Sequence, residues 1–352
     1  MLLLETTFLK DKNNGISKTI ENVINVFHEK EIHHKTISYY DFFKRKNVFL
    51  WLIYYNIILN MYVFRLRFAD VFFMPANLGG MVCLIKWRAK NVIMIHDLFE
   101  ISECRSKLKR YIIKMRFTKI IGNIDRIITV SNGSREKIED MFCFFPSNKI
   151  SVIYQYINKC KYNGGFFSDT ANVLYQKDRY LLANGSGQER KNIIFIIQNM
   201  KKIYDDFSLR LVLIGKDFHH DNYKNIFDAI NEYSCSHLVT HLGEVSDEEL
   251  VALYKRAACF VFPSLDEGFG IPPLEALAIQ TRIILSRIPI FEEIFFNMDC
   301  FFSFNYESFF CVLKRVLNED QESFEKKSNI LLTKYSYEEY ASNLIDIIFK
   351  DS

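Results

Sequence analysis

The chain has 352 residues, 49% of them apolar and 25% charged, which excludes a mostly disordered protein and exceeds what one hydrophobic core ordinarily serves. Its formal net charge of +3 conceals an asymmetry: residues 1–155 carry 24 Lys and Arg against 14 Asp and Glu, the remainder 21 against 28. A basic half joined to an acidic half points the first half toward an anionic surface.

Met1-Leu2-Leu3-Leu4-Glu5 has no basic residues ahead of its apolar run, and Glu5 interrupts that run. It reads as the start of a first strand, Leu2–Leu9, and not as a secretory leader. Asn14-Gly15-Ile16-Ser17-Lys18 follows as a loop. Val48–Phe64 is mostly apolar but holds Asn56 and Asn60 and is short for a membrane span, so a buried or interfacial helix is expected. Further strands are expected at Asp70–Met74, Val92–His96, Arg126–Val130 and Ile150–Tyr154. Between them, Arg105 to Lys119 holds seven cations and no acid. Leu108, Tyr111, Ile112, Met115 and Phe117 recur there at roughly helical spacing, the pattern of a basic amphipathic helix. Asn163-Gly164-Gly165 is a break, and the domain boundary is placed near residues 156–178.

The second half repeats the pattern, with strands expected at Tyr180–Ala183, Arg210–Ile214, Leu238–Leu242, Cys259–Phe262 and Arg282–Leu285. Short apolar runs alternating with amphipathic stretches predict an α/β class, parallel sheets flanked by helices. Two such halves, 1–160 and 161–335 with a closing helix at about 336–352, imply a cleft between domains. Several strands end in small or polar residues: His96-Asp97, Ser131, Asn184-Gly185, Gly215, Pro263-Ser264 and Ser286. In such sheets ligands bind at those carboxyl ends. His219-His220, beside Asp217 and Asp221, reads as a polar loop and not as a metal site. The eight Cys contain no C-x-x-C pair, which argues against a zinc ribbon and fits a reducing compartment.

The most informative run is Phe262-Pro263-Ser264-Leu265-Asp266-Glu267-Gly268-Phe269-Gly270-Ile271-Pro272-Pro273-Leu274-Glu275-Ala276-Leu277-Ala278. It leaves a strand, passes through a glycine loop and opens a helix. Pro273 suits the first helical position and disfavours helical geometry at Pro272. Glu275 would then sit in the first turn, favoured by the helix dipole. Backbone N–H groups of Gly268, Phe269 and Gly270 can meet ligand oxygens. Glu267 and Glu275, on loop and helix with seven residues between them, can grip two parts of one extended ligand.

This run resembles glycosyltransferase family 4, of the GT-B fold: Glu267 and Glu275 match its E-x7-E motif within E-G-F-G-x-P-P-L-E-A. The resemblance implies that Glu267 lies by the donor sugar and that Glu275 binds the donor ribose. Leu181 to Asn192 is similar to the family's strand–loop–helix ending in R-K-N, which assigns Arg190 and Lys191 to the donor diphosphate and Gly185 to the loop. Asn14 to Lys18 resembles the family's glycine loop, with Gly15 near the sugar. Ile93 to Leu98 resembles its strand ending in His-Asp, which would bring His96 to the donor sugar when the domains close. Tyr335 to Tyr340 is like its closing helix. Asn14, Lys18 and Gln280-Thr281-Arg282 depart from the family's usual residues and blur the acceptor-side loop and the donor-base end.

The function implied is a retaining hexosyltransferase of GT-B architecture, two Rossmann-like domains with parallel sheets facing across a cleft. Gly268, Phe269, Gly270 and Ile271 would line the donor site. The absence of any Asp-x-Asp, with no metal or other cofactor expected, favours a metal-independent enzyme. The donor would be a nucleotide-diphosphate sugar, with GDP-mannose the first candidate. The acceptor would be a lipid-linked glycan in surface-polysaccharide (O-antigen or capsule, lipopolysaccharide-type) biosynthesis. No nucleic-acid partner is expected. The protein would be cytoplasmic, peripheral on the inner face of the membrane through its basic first domain. The alternatives are a GT-B sugar-nucleotide epimerase and a non-catalytic partner subunit.

Overall fold

The computed structural model describes residues 2–7, 15–43, 50, 53–59, 61, 70–76, 89–158, 180–185, 187–215 and 221–349. The chain divides into two compact units, Met1–Gln155 with Glu338–Ser352, and Tyr156–Tyr337.

The first unit holds a six-stranded sheet of β1 (Leu2–Glu5), β2 (His34–Ile37), β3 (Val71–Met74), β4 (Lys90–Ile95), β5 (Arg126–Thr129) and β6 (Ile150–Val152). The order is β2-β1-β3-β4-β5-β6 and every pairing is parallel. β1 and β3 are buried along their whole length, as apolar runs such as Leu2-Leu3-Leu4 and Val71-Phe72-Phe73-Met74 are when helices cover both faces, and Glu5 at the end of β1 is buried with them. A core cluster joins Leu3, Phe72, Ile93 and Ile127 of the strands to Ile120, Ile138 and Phe142 beside them. The helix Tyr337–Phe349 belongs to this unit: Tyr340, Ala341, Leu344 and Ile348 are buried, and Lys90 Nζ donates to Ile347 O at 3.4 Å. Of the apolar Val48–Phe64 segment, Tyr54 and Leu59 are buried while Ile57 and Met61 are exposed. Among the described residues no helix is long and apolar enough to cross a membrane.

The second unit holds β7 (Tyr180–Asn184), β8 (Arg210–Ile214), β9 (Val239–Gly243), β10 (Cys259–Phe262), β11 (Ile283–Ser286) and β12 (Phe301–Phe302). The order is β12-β11-β10-β7-β8-β9, again all parallel. Strand order reverses between β7 and β10 here, and between β1 and β3 in the first sheet. Such switch points open a crevice at the strands' carboxyl ends.

Ten strands fall where the sequence places them, nine of them with both ends within two residues of the expected ones. β2 and β12 were not expected. Both are edge strands: β2 alternates too little, with two exposed residues of four, and β12 is two residues long. The expected strand Leu2–Leu9 ends at Glu5, and residues 8–14 lie outside the described residues, as do Asn163-Gly164-Gly165, Asp217 and His219-His220.

Candidate functional site

β7 and β10 are hydrogen-bonded neighbours, so the segments that leave their carboxyl ends emerge side by side at the switch point. After β7, Gly185 N donates to Ile214 O at 2.7 Å, and a short 3-10 turn, Glu189–Lys191, precedes the helix Ile193–Phe207. Asn192 joins the two with a left-handed backbone, φ 50°. After β10 the chain runs through Pro263 to Gly270, and Leu265 N donates to Arg190 O at 2.7 Å, tying the two loops together.

Glu267 lies within that join. Lys191 Nζ is 2.6 Å from its Oε1 and Arg190 Nη1 is 3.0 Å from its Oε2, with side-chain exposures of 8% for Glu267, 13% for Lys191 and 17% for Arg190. Ser264 Oγ donates to Oε1 at 2.7 Å, so one carboxylate accepts from three side chains. Ser286 Oγ, at the end of β11, donates to Ser264 O and fixes the loop below. Arg190 also donates to Asp266 O and to Gln188 Oε1, which aims its guanidinium. Lys191 sits 4.6 Å over the Phe262 ring, a cation–π contact that holds the ammonium against the end of β10. Two cations meet on this one carboxylate in a mostly buried setting, where charges interact more strongly than in water.

The sequence places Glu267 at a sugar and Arg190 with Lys191 at a diphosphate; the structure brings the three into one ion cluster. Ser264, Phe262 and Gln188 were not anticipated. Ser264, three residues ahead of Glu267 in the same loop, is a spacing that could have signalled a local side-chain bond.

Gly270 closes the loop with φ +102°, and a Cβ there would lie 3.1 Å from Phe291 Cε1, so both backbone and space ask for glycine. The helix begins at Ile271 and runs to Ala278. This corrects three expectations: Pro273 is the third helical residue and not the first, Pro272 is helical, and Glu275 stands beyond the first turn. The left-handed Gly270 turns the chain early enough that both prolines fall in the first turn, where their missing N–H groups have no intrahelical partner to lose. Glu275 is 5% exposed. Phe269 is buried with its ring edge-on to Tyr335 at 5.7 Å, so its side chain packs and its backbone is what the loop can offer a ligand.

In the first unit, His96 follows β4 with its Nε2 2.9 Å from Pro75 O, just past β3. A carbonyl only accepts, so Nε2 carries the proton in the neutral ring. Burial holds the His96 pKa below its ordinary value, keeping it neutral. Gly15 opens the helix Gly15–Glu29, after β1; Asn14 lies outside the described residues. Ser131 Oγ caps the helix Asn132–Met141 by accepting from Ser134 N at 3.0 Å. Among the described residues no cluster of His, Cys, Asp and Glu could hold a metal ion, and the described cysteines are free thiols.

Comparison with known proteins gives the following likenesses. Residues 167–340 match the family described as Glycosyl transferases group 1. The O-antigen chain mannosyltransferase RfbU of Salmonella typhimurium is 33% identical over 205 residues, 58% of this chain and 54% of that protein. The serotype-specific mannosyltransferase WbdA of Escherichia coli is 23% identical over 273 residues, 73% of this chain and 33% of its own length. The chain thus spans about half of RfbU and a third of WbdA. Among solved structures, sucrose-phosphate synthase of Thermosynechococcus elongatus superposes with a TM-score of 0.76 at 15% identity, over 97% of this chain and 96% of that one. HepE of Anabaena, in complex with UDP and glucose, gives 0.72 at 13% identity over 98% of each chain. At these identities the structural likeness establishes the fold. Residues 167–340 thus match the glycosyl transferases group 1 family, in a chain of GT-B fold.

Proposed function

We propose that the chain is a retaining hexosyltransferase that moves a sugar from a nucleotide-diphosphate donor to a growing, lipid-linked glycan in surface-polysaccharide synthesis. The observation that carries this reading is the Glu267–Arg190–Lys191 cluster at the switch point of the second sheet. A departing diphosphate gathers negative charge, and fixed cations at that point stabilise it. Each charge-assisted hydrogen bond contributes about 1.5–3 kcal/mol. In this proposal Arg190, Lys191 and the loop amides of Gly268, Phe269, Gly270 and Ile271 hold the diphosphate. Glu267 positions the sugar and steadies positive charge developing on it, and Glu275 takes the ribose hydroxyls. Gly185 gives the backbone room beside them. The incoming acceptor attacks from the face that the diphosphate leaves, with the leaving phosphate taking the acceptor's proton. The names of RfbU and WbdA make a mannose donor, GDP-mannose, the first to test. An acceptor carried on lipid would place the protein on the inner face of the membrane.

The test is thermal shift against a panel of sugar nucleotides, since a bound ligand raises the melting temperature by mass action. One donor, GDP-mannose first, should stabilise the wild type, and Lys191→Met should weaken that shift by at least tenfold in ligand concentration. A Lys191→Met protein that binds the donor as well as wild type does would overturn the assignment.

A further inference from the structure

The helix Lys107–Ile121 is built with two apolar faces. Phe117, Ile120 and Ile121 are buried in the core of the first unit, and Ile113 packs partly against it. On the opposite side Leu108, Tyr111, Ile112 and Met115 are 70%, 63%, 42% and 55% exposed. Their spacing, i, i+3, i+4 and i+7, makes a stripe about 100° wide at 3.6 residues per turn. The sequence suggests one apolar face that includes Phe117; the structure separates Phe117 into the core and leaves the other four outside. At the same pitch Lys109 and Arg116 flank the stripe on one side, Lys107 and Lys114 on the other, and Lys119 continues it in the last turn. All five are exposed, as is Arg105 just ahead of the helix, and residues 105–119 hold no acid.

We propose that this outer face docks on an anionic lipid bilayer, the helix lying flat with its stripe in the acyl boundary and its cations among the phosphates. Charge complementarity selects this occupant. A second copy of the chain would set the same cations against their equals, and a neutral partner would leave them unmatched. A flat helix with a strongly cationic border and a narrow apolar stripe is the geometry of interfacial binding. This inference rests on the peripheral, lipid-linked reading above, but its test needs no turnover, so the two fail separately.

The test is sedimentation of the full chain with vesicles of phosphatidylglycerol and phosphatidylcholine against phosphatidylcholine alone. Binding should require phosphatidylglycerol and fall as salt rises. Each cation near such a surface is worth about fivefold in binding, so changing Lys107, Lys114, Arg116 and Lys119 together to Gln should lower it at least a hundredfold. Leu108→Ser with Ile112→Ser should lower it at least tenfold while the cations remain. Both changes fall on exposed side chains, so the melting temperature should hold. Tyr111→Trp gives an independent reading: its emission should shift to the blue, and brominated lipid should quench it, on anionic vesicles alone. Equal binding to neutral and anionic vesicles, no binding to either, or a dimer in ultracentrifugation that Leu108→Ser with Ile112→Ser abolishes would each overturn the proposal.

Discussion

Replacing Glu267 with Gln keeps the shape of the loop and removes the negative charge that Arg190 and Lys191 share. Both cations are then left in a setting where their side chains are 17% and 13% exposed. Removing one partner of a buried pair costs about 3–5 kcal/mol. Some solvent still reaches Arg190, and the Gln oxygen can accept one bond, so the expected loss is about 3 kcal/mol. For a unit of this size each kcal/mol is worth about 2–4 °C, so thermal unfolding should fall by roughly 6–12 °C without ligand. Adding Lys191→Met in the same chain should restore part of that loss, because one of the two charges that lost this carboxylate is gone. The double-mutant cycle should show coupling of about 1.5–3 kcal/mol, well beyond the roughly 0.5 kcal/mol scatter of independent sites. Calorimetry of the four proteins reads this directly. Additive effects, or a Glu267→Gln protein that melts within 2 °C or so of wild type, would refute the claim that the three side chains act as one buried unit.

Other expectations follow from the same geometry. Glu267→Ala should lose nearly all turnover, whereas Glu275→Ala should mainly raise the donor KM; steady-state kinetics on the true donor separates the two. The proposal that Arg190 and Lys191 offset the donor's phosphate charge requires activity to persist in excess EDTA, and strict dependence on Mg²⁺ or Mn²⁺ would contradict it. Gly270→Ala forces a side chain into a backbone at φ +102° and against Phe291, and should lower stability by about 1–3 kcal/mol in a denaturant melt. His96 is held neutral by burial, its folded pKa below the unfolded value of 6.5. Its contribution is therefore present above that pH and lost as pH falls through the lower folded value. Wild type should lose more stability between pH 7.5 and pH 5 or so than His96→Gln, whose amide can still donate to Pro75 O, and equal losses would contradict the sign.

Much of this was legible in the sequence, for identifiable reasons. Interior strands such as β4, β8 and β10 carry unbroken apolar runs (92–95, 211–214 and 259–262) because helices bury both their faces, and such runs stand out. β2 and β12 lie at sheet edges, where half the side chains meet water or the strand is too short to show a period. The spacing of Glu267 and Glu275 was visible, but the helix start between them was not, because it depends on the left-handed turn at Gly270, which spacing does not encode. Nor could spacing show that Arg190 and Lys191, some seventy-six residues away in the chain, close on Glu267; that follows from β7 and β10 being neighbours across a switch in strand order. The basic helix was legible as a helix, but which of its apolar residues faced the core required the packing of Phe117, Ile120 and Ile121.

The central claim is sugar transfer from a nucleotide-diphosphate donor by the Glu267–Arg190–Lys191 cluster. Its most direct test is release of nucleoside diphosphate from GDP-mannose and the other sugar nucleotides, measured with and without a glycolipid acceptor fraction. The account predicts release with one donor that depends on the acceptor, labels the glycolipid, and disappears in Glu267→Ala. Equal release without acceptor would indicate an epimerase instead. Release that survives in Glu267→Ala, or none with any donor while acceptor is present, would contradict the account.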